Sequence, residues 1–354
     1  MIRPMGIFAP EQTAPEVSVI VPARNEEVSL GACLESLVSQ TGVHFEIIVV
    51  DDGSTDKTRH IASSFSGVRV ISPGPLPPGW TGKNNALAAG ASSARGKWLL
   101  FTDADTVHRP GSLARALAEA KANGAVLLSY SPQQEVKGLW EKVVMAVIFS
   151  ELACTYRPSD VCDPALPAAA ANGQYLLVYR EAYEAVGGHR SIAGSLLEDV
   201  ALARAIKRSG KRIFFRYGGD AVCTRMYRNF AQLREGWTKN LALLFPSPGT
   251  LALTRLAEFL ILVGGVALFF ALLMAPRPAS AFIVAMVLLA VAGRFARRIA
   301  KAHFSWESNL LAIFGLPVFT YLLLRSRLSH NSGTVTWKGR TYRGSNTGVT
   351  AGVK

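Results

Sequence analysis

Two short clusters of carboxylates, Asp51-Asp52-Gly53-Ser54 and Asp103-Ala104-Asp105, are the residues best suited by type and spacing to do chemistry. Neighbouring carboxylates are hard oxygen donors. They suit a divalent cation such as Mg2+ or Mn2+ that keeps water and a phosphate-bearing ligand in its other positions. Each cluster also has an ordinary reading, since Asp-Gly-Ser is turn chemistry and an isolated Asp-x-Asp arises by chance. A third acidic pair, Glu198-Asp199, opens an apolar-sided stretch built from Val200, Leu202, Ala203 and Ile206. There it can cap a helix or supply a base. Lys83 follows Gly79-Trp80-Thr81-Gly82 at the start of another helix, so its ammonium and the helix N-terminus can meet the same phosphates; otherwise it is a solvated surface lysine.

The elements that must position these residues alternate. Val17-Ser18-Val19-Ile20-Val21-Pro22 is a β-branched run stopped by proline, and Glu27 to Gln40 carries apolar residues at helical spacing. Phe45 to Val50 predicts the next strand, with Ser54 or Thr55 capping a helix that ends near Phe65. Strands over Val68–Ile71, Lys97–Thr102 and Ala125–Ser129 enclose helices over Lys83–Ser93 and Pro110–Ala122. Strict alternation implies an α/β fold with a mainly parallel sheet and helices on both faces. In such sheets ligands bind beyond the carboxyl ends of the strands, which is where both aspartate clusters fall.

Composition divides the chain. It has 354 residues, 49% of them hydrophobic, and the long apolar runs are concentrated in residues 256–324. The net charge of +13 accompanies no stripe of interleaved arginines and aromatics in the globular part, so it points to an anionic lipid surface rather than nucleic acid. Four cysteines, Cys33, Cys154, Cys162 and Cys223, show no metal-ligand spacing and read as reduced, mostly buried thiols.

Four stretches together are specific: Val19-Ile20-Val21-Pro22-Ala23-Arg24-Asn25-Glu26, Val49-Val50-Asp51-Asp52-Gly53-Ser54-Thr55-Asp56, Asp103-Ala104-Asp105 and Leu197-Glu198-Asp199-Val200-Ala201-Leu202. With them the chain resembles glycosyltransferase family 2, whose members share the GT-A fold. Trp80-Thr81-Gly82-Lys83-Asn84 and Trp337-Lys338-Gly339-Arg340-Thr341-Tyr342 resemble its membrane-bound branch, which includes hopanoid-associated, carotenoid and ceramide glycosyltransferases.

The resemblance implies an inverting enzyme that moves a sugar from a nucleotide-diphosphate sugar, expected to be a UDP-sugar, to a membrane lipid or polyisoprenoid-type acceptor. It implies a divalent cation, Mg2+ or Mn2+, held by Asp105, with Asp103 toward the nucleotide and Lys83 near the diphosphate. Asp199 is the implied base, with Glu198 beside it. Asp51 or Asp52 would accept the imide N–H of a pyrimidine base, and Pro22, Ala23, Arg24 and Glu26 would frame base and ribose. Trp237 lies five residues after Gln232 and follows Gly236, so it departs from the Gln-x-x-Arg-Trp signature of processive synthases. It is left as a candidate acceptor platform or a core residue. A processive polysaccharide synthase and a non-catalytic lipid-binding scaffold are the alternatives.

The expected organisation is an N-terminal extension (1–16), a GT-A domain (17–245), a membrane region of two or three spans (256–324) and a basic tail (325–354). Leu256 to Ala275 is long enough to span, whereas Ala279 to Gly293 is short unless it continues. Arg294, Arg297, Arg298 and Lys301 place the following loop on the cytoplasmic side, making a multi-pass protein of the cell (inner) membrane with a cytoplasmic catalytic domain. Asn309 to Leu324 is ambiguous. If it spans, six Lys or Arg of the tail end up outside, and Gly315-Leu316-Pro317 weakens a straight span; an interfacial or re-entrant element with a cytoplasmic tail is the preferred reading.

Overall fold

The computed structural model describes residues 14–342 apart from Pro276 and Lys338, so most of the N-terminal extension and the end of the basic tail lie outside the described residues. The strands of the α/β part are β1 (Val17–Ala23), β2 (Phe45–Asp51), β3 (Val68–Ile71), β4 (Trp98–Phe101), β5 (Thr106–His108), β6 (Leu127–Ser131), β7 (Gln133–Gln134), β8 (Leu176–Tyr179), β9 (Ile213–Tyr217) and β10 (Val222–Thr224). Seven of them form the central sheet in the order β3-β2-β1-β4-β8-β6-β9. It is mainly parallel; only β8 runs antiparallel to its neighbours β4 and β6. A smaller sheet, β5-β10-β7, carries the chain beyond Asp105.

Strand periodicity divides the core between two faces. Val17, Val19 and Val21 of β1, with Ile47 and Val49 of β2, face the helices Leu30–Val38 and Ser112–Ala122. Ile20, Ile48 and Val50 point the other way, onto the helices Gly82–Ser93 and Glu198–Arg208. Successive side chains of a strand alternate faces, so a run of β-branched residues suits a strand buried on both.

The topology fixes where a ligand can sit. The chain runs from β1 outward through β2 to β3, then crosses back to β4 on the other side of β1. The crevice beyond the carboxyl ends of β1 and β4 is the switch point. Arg24 follows β1 and Asp103 lies two residues after β4. One expected cap is corrected. The helix after β2 is Thr58–Ser64, later than expected, because the Ser54 hydroxyl accepts from the Asn25 N–H (3.1 Å) and Thr55 N–H donates to the Asn25 side chain (2.9 Å). Asp56 instead accepts from Thr58 N–H at 2.9 Å.

Among the described residues, three helices are long and apolar enough to cross a membrane: Pro248–Met274, Pro278–Ala302 (its last turn 3-10) and Trp306–Asn331. The first two form a hairpin in close contact, where a Cβ at Gly265 would lie 2.7 Å from Leu288. Of each apolar window only 6% is buried within the protein, against 44% for the third helix. The third helix runs unbroken through Pro317 and packs on the helices Leu139–Thr155 and Phe230–Leu244. Gly315 makes that possible, since any Cβ there would collide with the Val143 carbonyl.

Where the hairpin leaves the α/β part, four charges close a ring. Arg255 and Arg298 each contact Glu151, at 2.7 and 2.8 Å, and Glu258, at 3.3 and 2.6 Å. Mutual pairing is the condition on which such charges tolerate burial. Both ends of the third helix return to the α/β part: Glu307 pairs with Lys142 at 3.2 Å, and Ser326 Oγ accepts from Ala242 N–H at 2.9 Å. After it, β11 (Val335–Trp337) and β12 (Arg340–Tyr342) form an antiparallel hairpin, with Gly339 at φ +75° in its turn.

Candidate active site

The loops after β1 and β2 are zipped together. Arg24 Nη1 donates to the Asp52 carbonyl at 2.9 Å, Asp52 N–H to the Ala23 carbonyl at 2.9 Å, and Glu27 N–H to Asp56 at 3.1 Å. They frame one wall of a cavity of about 320 Å³ lined by Arg24, Asp51, Asp52, Gly53, Ser72, Pro73, Gly74, Leu76 and Arg340. Asp51 accepts from Ser54 N–H at 3.1 Å and pairs with Arg59 at 3.4 Å. Asp52 pairs with Arg24 at 3.8 Å and takes a two-point grip from Arg340.

Beside this cavity, three stretches far apart in sequence meet. Lys83 Nζ lies 2.7 Å from Asp103 Oδ1 and 2.7 Å from Glu198 Oε1. Asp199 sits next to the pair, its Oδ2 accepting from Gly173 N–H at 2.8 Å and its Oδ1 from Val200 N–H at 2.7 Å. Gly173 allows the approach: a Cβ there would stand 3.2 Å from both Lys83 Nζ and Glu198 Oε1.

Local sequence explains the placement. Thr81 Oγ1 accepts from Asn84 N–H, capping the helix that presents Lys83. The Asn84 amide reaches the carbonyls of Ile192, Ala193 and Ser195 at 2.8–3.0 Å, tying the segment before Glu198 to that helix. The Asp103 turn is closed by Thr106 N–H on the Asp103 carbonyl (3.2 Å), and Thr224 Oγ1 donates to the Asp105 carbonyl at 3.1 Å.

The electrostatics separate the two acids. Burial pushes Asp199 up to about 6, and the charge of Glu198 adds to the shift. Burial also works against Glu198, but the charges of Lys83 and Lys239 outweigh it and hold that carboxyl below the usual range. Lys83 is held well above its ordinary value, burial being overcome by Asp103 and Glu198. An adjacent pair pushed in opposite directions divides into a permanent charge and a group that exchanges a proton near neutrality.

Several expected residues fall elsewhere. Pro22 and Ala23 complete β1, and Glu26 turns away to cap the next helix, its carbonyl accepting from Ser29 and Leu30 N–H; of that stretch Arg24 alone lines the cavity. Trp237 is corrected as an acceptor platform: it is 2% exposed, its indole N–H directed at Met145 Sδ (3.4 Å), so no ring face is open for stacking. Gly236, where the processive signature has Arg, lies against the Tyr227 ring, which a Cβ would strike. His189 is buried, with Nδ1 2.9 Å from the Tyr183 hydroxyl and burial lowering its pKa to about 4. Lys239, whose charge acts on Glu198, and Arg340, which grips Asp52, join the site without having been singled out as site residues.

Among the described residues no three His, Cys, Asp or Glu side chains gather into a ready-made metal cage. The donor set beyond β4 is two carboxylates, one already paired with Lys83. That fits a hard octahedral cation drawing most of its ligands from a diphosphate and water.

Residues 18–164 match the family described as glycosyl transferase family 2. The chain is 30% identical over 339 residues to the 4,4'-diaponeurosporenoate glycosyltransferase of Staphylococcus aureus (strain MRSA252), covering 92% of this chain and 88% of that protein. The same enzyme from strain USA300 is 29% identical with the same coverage. Among solved structures, the mannosyltransferase PcManGT from Pyrobaculum calidifontis, in complex with GDP-Man and Mn2+, aligns with a TM-score of 0.51 at 19% identity, covering 90% of this chain and 87% of its own. At that identity the likeness is one of fold.

Proposed function

Because the chain belongs to glycosyl transferase family 2, we propose that this enzyme transfers one sugar, with inversion, from a UDP-sugar to a hydroxyl or carboxyl of a lipid presented at the membrane surface. The observation that carries the reading is the meeting of Asp103, Lys83, Glu198 and Asp199 beyond the strand ends, beside a cavity bordered by Asp51 and Asp52. In the proposal the cavity takes the nucleoside, Asp51 or Asp52 accepting an N–H of the base and Arg24 bordering the ribose. Lys83, at a capped helix N-terminus, faces the diphosphate. Asp105, with Asp103, would hold Mg2+ or Mn2+; when bound, such an ion offsets the charge that grows on the departing diphosphate.

Asp199 is the proposed base. For a hydroxyl acceptor it takes the proton as the oxygen attacks the anomeric carbon from the side opposite the leaving group; a carboxylate acceptor would attack without that step. A carboxyl near 6 is ionised at neutral pH yet remains a competent proton acceptor. Glu198, fixed by Lys83, keeps the neighbouring charge that raises Asp199. A lipid acceptor is supported by the exposed apolar hairpin and by the relatives' named acceptor, diaponeurosporenoate. Single transfer rather than polymer synthesis is supported by Gly236 and by the buried Trp237.

For topology we propose that the hairpin Pro248–Ala302 crosses the cell membrane while the third helix lies along its surface. The support is that the first turn of that helix and the strand beyond its end both contact the α/β part, and that its outer face exposes Trp306, Leu310, Phe314, Tyr321 and Leu328. Asp105→Ala in the purified full chain tests the metal role. Donor turnover with Mn2+ should fall by at least ~10²-fold, as for a lost metal anchor; near-wild-type turnover would remove Asp105 from it.

A further inference from the structure

The hairpin that follows the third helix enters the donor side of the site. β11 is fastened by Val335, 1% exposed, and by Trp337, over whose ring Lys239 Nζ lies at 5.2 Å. β12 then begins with Arg340, whose Nη1 donates to Asp52 Oδ2 and whose Nη2 donates to Asp52 Oδ1 at 3.2 Å. The contact joins residues 288 positions apart.

Arg340 lies between the two ends of the proposed donor path. On one side is Asp52; on the other is Gly82, the residue before Lys83, where a Cβ would stand 2.6 Å from Asp52 Oδ2 and collide with the guanidinium. Glycine at 82 therefore leaves room for Arg340 beside the N-terminus of the helix Gly82–Ser93. The cavity lining carries Asp51 and Asp52 against Arg24 and Arg340. Without Arg340 its own charges would sum to −1 and repel a nucleoside diphosphate.

We propose that Arg340 is a donor-binding residue: the C-terminal hairpin delivers its guanidinium to the nucleotide cavity, where it takes the diphosphate of the incoming donor, Asp52 holding it in place beforehand. A planar fork that grips a carboxylate at two points grips phosphate oxygens equally well. The Arg340 side chain is 24% exposed, so it is not sealed off from a ligand in the cavity it lines. Donor affinity thus depends on a segment that the chain reaches only after its membrane helices. The proposal rests on the nucleotide-sugar reading above and assigns a role that the β1, β2 and β4 loops do not fill.

The test is nucleotide binding by the full chain in lipid nanodiscs, with Mn2+, using UDP, GDP and their nucleosides to displace a fluorescent nucleotide. Arg340→Ala should weaken the preferred diphosphate at least ~10-fold while changing its nucleoside less than ~3-fold, and Arg340→Lys should recover part of the loss. The loss should persist in an Asp52→Ala background, which an Arg340 that merely positions Asp52 would not give. Thr341→Ala, an exposed neighbour on the same strand, should bind as wild type and, with unchanged melting of the unliganded proteins, excludes a misfolded hairpin. Equal diphosphate affinity in Arg340→Ala, or equal losses for diphosphate and nucleoside, would overturn the proposal. A wild-type chain that binds neither UDP nor GDP would overturn the donor reading itself.

Discussion

At the level of single residues, the proposed base is Asp199. Because burial raises it to about 6, the acid limb of the rate should lie there: turnover rises with pH through about 6 as the carboxyl ionises. Asp199→Asn should remove that limb and lower turnover by at least ~10²-fold, whereas a rate flat down to pH 5 would show that the acceptor needs no base, as for a carboxylate. The same shift has a sign for stability. A carboxyl with a raised folded-state pKa favours the fold at low pH, and that contribution is lost as pH rises from its unfolded value through about 6. Asp199→Asn should therefore melt no lower than wild type at pH 7.5. Asp51, Asp103, Lys83 and Asp199 stood out in sequence as acids and a lysine beside strand ends or helix starts, and the family resemblance supplied their proposed roles. Arg340 and Lys239 did not, because their places follow from how a distant hairpin and a long helix dock, which no short window encodes.

At the level of elements, the alternation of β-branched runs with helical spacing made the sheet readable, and the burial of Val19 and Ile20 on opposite faces shows why. Helix ends were less readable: Ser54 and Thr55 are good caps by type, but Asn25 competes for them from the neighbouring loop. The third helix was obscured by Pro317, which marks a break only where no packing compensates. Its docking makes a test. Gly315→Val should cost about 1–3 kcal/mol by forcing the helix off the Val143 carbonyl, read as a lower melting temperature in detergent, while Gly264→Ala, with open space at its Cβ, should change little. Equal melting of the two variants would place the third helix elsewhere.

For the molecule as a whole, the exposed hairpin, the third helix and the C-terminal strands follow one another along the chain from the exposed apolar surface to the cavity beside Asp52. Single cysteines at Ser329 and Thr336 should be labelled by impermeant reagents only from the side of the α/β part, and one at Arg277 only from the opposite side; labelling of Thr336→Cys from the far side would mean that the third helix crosses. The apolar division at residue 256 was evident in composition, but whether the last apolar stretch crosses depends on contacts such as Arg340 with Asp52. The central claim, transfer of one sugar to a membrane lipid, is tested most directly by mass spectrometry of lipid extracts from cells carrying the wild-type chain or Asp105→Ala. The expected result is one lipid class heavier by a single sugar in the wild type alone. Identical lipids in both, or a ladder of many sugars, would contradict it.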